Sequence, residues 1–181
     1  MLRFDLSPSA IATAQRRADV LEDTVAVEFV EASATDLDAA SRVQAVAREL
    51  GGFRCALDVG LLHCLDDAAQ RAYVDGLRPL LRRGGKVFVG CFSDANPDPW
   101  LNPRRMSKDE LRALFCEERS WQIVSLTETW FERPAEQPVQ WSVVLKRSIA
   151  LAAGGRLGLA GAALVRGGRW TIAWWCIAEA I

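Results

Sequence analysis

The chain has 181 residues, half of them hydrophobic and a quarter charged, with a net charge of −1. That suffices for one globular domain with a sizeable core, and it argues against a basic field for nucleic acid or a polybasic membrane anchor. Five scattered cysteines without a CxxC pair, and a single histidine, argue against the usual zinc-site patterns.

In chain order, "MLRFDLSPS" is no signal peptide, because no apolar run follows its charge. Phe4 and Asp5 read as a strand end. Ser7-Pro8 is a helix start: the serine can accept from orphan first-turn amides, and proline suits the first helical position. Ile11, Ala14, Ala18 and Leu21 then recur at helical spacing. "VAVEFVE" (25–31) alternates and is rich in β-branched residues, which predicts a strand. A second helix carries Val43, Val46, Ala47 and Leu50 and is closed by Gly51-Gly52. "FRCALDVG" (53–60) is a short, mostly apolar strand. Asp66 or Asp67 caps a third helix with Tyr73, Leu77, Leu80 and Leu81, which Gly84-Gly85 ends. "KVFVGCF" (86–92) has the near-continuous apolar character of a central strand.

This alternation of strand and helix predicts right-handed crossovers and a mostly parallel sheet, the α/β class. The loop "SDANPDPWLNP" is long and rich in proline and aspartate, a type that often covers a ligand site. Ser107 and Glu110 form a capping box for a short helix bearing Leu111, Leu114 and Phe115. "WQIVSLTETWF" (121–131) and "VQWSVVLK" (139–146) are separated by too few residues for a crossover helix, so the pair is expected as an antiparallel hairpin. From Ser148 the composition turns to Gly, Ala and Arg and then abruptly to tryptophan, and it falls short of a membrane span. Residues 1–147 are therefore read as the domain and 148–181 as a low-complexity appendage, the alternative being an extra helix on the sheet. Three of the cysteines lie in apolar stretches, as expected of free buried thiols in a reducing cytoplasm.

"FDLSPSAI", "FRCALDVGLLHCLDD", "LRRGGKVFVGCFSD" and the terminal strand pair together resemble a class I S-adenosylmethionine-dependent methyltransferase. The likeness runs from about Leu2 to Lys146 and is nearest to the small-molecule branch that methylates quinones, phenols and heterocycles, as thiopurine methyltransferases do. It implies a Rossmann-like sheet with a terminal antiparallel pair, S-adenosylmethionine as cofactor and a small-molecule O, N or S acceptor. It also implies site residues. Asp5, with Leu6 beside it, matches the acidic position that takes both ribose hydroxyls, a job suited to a carboxylate facing a cis-diol. Ser33 stands where the family has an adenine-binding Asp, and Ala34 where a backbone N–H meets the ring. Asp58, at the carboxyl end of the 53–59 strand, falls where cofactor methyl and acceptor meet. His63 could act as general base on a phenol or orient it, or only hydrogen-bond its neighbours. The N/D-P-P-Y motif of enzymes that methylate exocyclic amines of nucleic-acid bases is absent, which with the charge balance argues against nucleic-acid substrates.

The family places a strand, a "DxGxGxG"-type loop and a helix before the stretch with which this sequence opens, and puts that strand between the second and the fourth. The resemblance thus reads the chain as lacking its first unit, with impaired activity and open inner edges that favour self-association. The competing reading is a non-catalytic module that no longer binds cofactor. A dehydrogenase-type nucleotide-binding domain fits less well, because its halves continue with helices between parallel strands.

Overall fold

The computed structural model describes residues 1–20, 26–96, 103–134 and 168–181. Strand β1 (Leu2–Asp5) is followed by helix α1 (Pro8–Val20), β2 (Glu28–Glu31), α2 (Ser41–Glu49) and β3 (Phe53–Val59). Helix α3 (Asp67–Leu77), β4 (Leu81–Phe92), α4 (Lys108–Leu114), β5 (Trp121–Pro134) and β6 (Gly168–Ala180) complete the described elements. The architecture is α/β with parallel and antiparallel strands, as expected.

The helix signals act through identifiable bonds. The Ser7 hydroxyl accepts from Ala10 N–H at 3.3 Å ahead of Pro8. Asp66, rather than Asp67, caps α3 by accepting from Ala69 N–H at 2.8 Å. Ser107 and Glu110 close the capping box of α4. Gly51 and Gly52 end α2 with φ of +64° and +91°, and a Cβ at Gly52 would lie 2.5 Å from the Arg82 backbone nitrogen. Glycine there lets the start of β3 lie against the start of β4.

Four expectations are corrected. First, Gly84-Gly85 does not end α3. Pro79 lies in the 3₁₀ turn after Leu77, and the two glycines sit inside β4, which starts at Leu81. Second, the parallel strands do not form the one sheet that their alternation alone suggests: β1 pairs with β2, while the other sheet has the order β3-β4-β6-β5, so that among the described strands β1 and β3 keep the open inner edges the resemblance implied. Third, the antiparallel partner of β5 is β6, and residues 139–146 lie outside the described residues. Fourth, the end of the expected appendage is an interior strand: β6 pairs with β4 on one side and β5 on the other. Ala173, Trp174, Cys176, Ala178 and Ala180 of β6 are all buried, and that apolar burial holds the strand in place. The expected boundary at 147/148 also lies outside the described residues.

The main core joins both sheets. Leu2, Phe4 and Val30 pack on a cluster containing Leu37, Val43, Leu62, Val74, Val87 and Trp121. Helix α1 contributes no buried residue, so its expected apolar face stays at least partly open. On the opposite side, Gly90 of β4 faces Phe131 and Trp175; a Cβ there would stand 2.9 Å from Phe131 Cζ. Gly90→Ala is expected to cost about 1–3 kcal/mol by overpacking. Urea unfolding measures it, and a variant as stable as the wild type would contradict the close approach.

Candidate functional site

The predicted residues gather at the ends of two parallel strand pairs. At the end of β1, Asp5 is exposed, and its Oδ1 accepts from Ser7 N–H at 2.8 Å, an Asx turn that carries the chain into α1. Leu6 is exposed beside it. The Asp5 carbonyl accepts from Ala32 N–H at 3.0 Å, which brings the β2 end alongside. Ser33 and Ala34 follow directly. The Ser33 hydroxyl lies 3.0 Å from Thr35 Oγ1 and accepts from Thr35 N–H at 3.3 Å, so it shapes its own turn, and Ala34 packs on the core.

Asp58 and His63 form the second group. Asp58 closes β3 and is only 4% exposed. Its Oδ1 accepts from Leu61 N–H at 2.8 Å, its Oδ2 accepts from Leu62 N–H at 3.1 Å, and the Tyr73 hydroxyl is hydrogen-bonded to the same carboxylate. Burial pushes its pKa up to about 6, against the lowering effect of these three bonds. The carboxylate therefore faces the interior and shapes the β3 exit turn.

His63 lies in that turn and is 1% exposed. Its ring stacks on Phe92, with centroids 4.6 Å apart and planes 19° apart. Nδ1 accepts from Phe92 N–H at 3.3 Å, so that nitrogen carries no proton and the neutral ring is protonated at Nε2. Burial holds its pKa down at about 4. A ring fixed in this state suits orientation by an N–H better than proton abstraction, because its lone-pair nitrogen is already engaged.

Beside this turn opens a cleft of about 510 Å³ lined by His63, Cys64, Leu65, Asp66, Pro103 and Arg104. Arg104 forms ion pairs with both Asp67 and Glu110, tying the start of α3 to the capping box of α4. Met106 is bound to the end of β4: its N–H donates to Phe92 O at 2.8 Å, and its carbonyl accepts from Trp174 Nε1 at 2.8 Å. Among the described residues, no hydrogen bond or ion pair links this group to the Asp5–Ser33 group. Sequence reasoning missed Gln70, Tyr73 as a polar contact, Arg104 and Met106. The one available signal was Gln70, a polar residue three positions before Tyr73 on the core side of its helix.

No family model matches the chain, and no curated protein matches it in sequence. Solved structures do match. A protein of echinomycin biosynthesis, in which a disulfide bond is converted into a thioacetal group, superimposes with a TM-score of 0.64 at 21% identity over 99% of this chain. A SAM-dependent methyltransferase from Anabaena variabilis gives a TM-score of 0.65 at 13% identity over 99% of this chain. The chain has the methyltransferase fold.

The 1,6-didemethyltoxoflavin-N1-methyltransferase of Burkholderia thailandensis, solved with S-adenosylhomocysteine, shares that fold at a TM-score of 0.51, 19% identity and 99% coverage of this chain. The chain spans 65%, 68% and 60% of the lengths of these three proteins, in the order given. Among the described helices of this methyltransferase fold, none is long and apolar enough to cross a membrane.

Proposed function

We propose that the chain is part of an S-adenosylmethionine-dependent methyltransferase acting on a small-molecule O, N or S acceptor in the cytoplasm. The observation that carries this reading is the exposed Asp5 carboxylate at the carboxyl end of β1, held in an Asx turn at the start of a helix. In an α/β sheet, ligands bind beyond the carboxyl ends of parallel strands, and a carboxylate there can accept from both hydroxyls of a ribose. Leu6, Ser33 and Ala34 lie at the same end and would take the ribose edge and adenine, Ser33 as a neutral acceptor.

The cleft beside His63 would take the acceptor, with the buried His63 ring backing its wall and Asp58 acting through the turn. The bound sulfonium supplies a methyl group already activated toward an in-line nucleophile, so placement is most of what the protein must do. Cys91 and Cys176 are buried free thiols, as a reducing compartment allows, whereas Cys55 and Cys64 are exposed, so two rather than three of the cysteines meet the expectation of buried thiols. Affinity of residues 1–181 for the cofactor would be low, since their sequence holds no glycine-rich loop after an acidic strand end and Ser33 lacks charge. The half-exposed Leu57 of β3 and the open face of α1 favour self-association, which sedimentation would detect as concentration-dependent mass.

Calorimetry with S-adenosylmethionine tests the reading. In a form that also carries the strand–loop–helix unit the family places first, Asp5→Ala is expected to weaken binding by about 1.5–3 kcal/mol, the usual worth of hydrogen bonds to a charged group. Equal affinity in variant and wild type would remove Asp5 from the site.

A further inference from the structure

Helix α3 turns two polar side chains inward. Gln70 and Tyr73 stand one turn apart and are 3% and 4% exposed. Leu or Phe at these positions would bury without desolvating a polar group, so core stability alone does not call for them. Both converge on the β3 exit turn. Gln70 Nε2 donates to Leu62 O at 3.0 Å and to Met106 Sδ at 3.3 Å. The Tyr73 hydroxyl binds the Asp58 carboxylate that accepts from Leu61 and Leu62 N–H. The turn is thus held at its amides through Asp58 and at its Leu62 carbonyl by Gln70. The next residues are His63, Cys64 and Leu65, which line the cleft. Through Met106 the same glutamine touches the segment that follows Pro103 and Arg104, the opposite wall.

We propose that Gln70 and Tyr73 are positioning residues of the acceptor cleft, setting the distance between the His63 wall and the Pro103–Arg104 wall. The functional part rests on the methyltransferase reading above; the grip on the turn does not. Among the described residues, the titratable groups coupled to Asp58 are Tyr73 from α3, Cys64 from the turn and Cys91 from β4, and no cation is among them. Hydrogen bonds alone therefore support its ionised form, and losing one should register on it.

The experiment compares Tyr73→Phe and Gln70→Met with the wild type. In Tyr73→Phe, carbon NMR of the Asp58 carboxyl should show titration above the wild-type value, because a bond favouring the ionised form is gone. In both variants, amide exchange at Leu61 and Leu62 should rise at least tenfold relative to Val87 and Val89 of β4. If Tyr73→Phe fails to fold, Gln70→Met still carries the exchange test. With a panel of phenols, thiols and heterocyclic amines, chemical-shift titration should show a changed acceptor Kd in both variants while the weak S-adenosylmethionine affinity stays within twofold. A purely structural role would lower both together. Unchanged exchange at 61 and 62, with an unchanged Asp58 titration, would overturn the proposal. Changed exchange with a wild type that binds no member of the panel would count against the methyltransferase reading and leave the grip on the turn standing.

Discussion

A chain ending at residue 167 is expected to lose its fold. Strand β6 is interior, with residues 173–179 paired to β4 and 168–180 paired to β5. Without it β4 has an open edge and β5 has no partner among the described strands. The deletion also removes the buried Ala173, Trp174, Cys176, Ala178 and Ala180. Loss of one buried tryptophan alone costs about 3–5 kcal/mol, against a typical domain stability of about 5–15 kcal/mol. Trp174→Ala is the milder form of the experiment. It loses the packing, the Nε1 bond to Met106 O at 2.8 Å and the Lys108 ammonium 4.6 Å from the ring centroid. Circular dichroism with urea titration measures both variants. A chain ending at 167 that unfolded cooperatively, with wild-type midpoint and slope, would show that the last strand is the appendage its composition suggests.

The second large effect is a pair of opposed pH dependences at the β3 exit. Asp58 has its pKa raised from 3.8 to about 6 in the folded chain. Its contribution to stability is present below about pH 4 and lost as pH rises through about 6, a swing of about 3 kcal/mol. His63 has its pKa lowered from 6.5 to about 4. The unfolded chain takes up its proton first, so stability is lost as pH falls from 6.5 through about 4, by about 3 kcal/mol. Between pH 4 and 6 the two nearly cancel. His63→Gln keeps an acceptor for Phe92 N–H and removes one of the two. Relative to the wild type, this variant should therefore gain about 2–3 kcal/mol between pH 7 and pH 4.5. The difference of two urea titrations at each pH cancels the other carboxylates. A stability difference that stays constant between these pH values would show that His63 is not held neutral.

Local signals were legible because they act over a few residues. The capping serines and Asp66, the glycines after α2, and the apolar runs of β3 and β4 each determine their element by short-range bonds or period. The α/β class followed from their alternation, and the resemblance to the methyltransferase family drew its candidate residues from strand ends where α/β folds bind ligands.

Partnership across the chain was not legible. Residues 121–134 needed an antiparallel neighbour, and proximity in sequence suggested 139–146; the register with 168–180 depends on which apolar faces meet in the core. Low complexity before residue 168 concealed that the tryptophan-rich end is a strand buried between two others. Asp58 and His63 were recognised as notable residues, but their side-chain direction was decided by tertiary packing. The sequence determined that a carboxylate and an imidazole stand at the end of β3. Only the fold decided that the first turns inward to Leu61, Leu62 and Tyr73 and the second stacks on Phe92, because backbone amides and burial compete with any ligand for the same atoms.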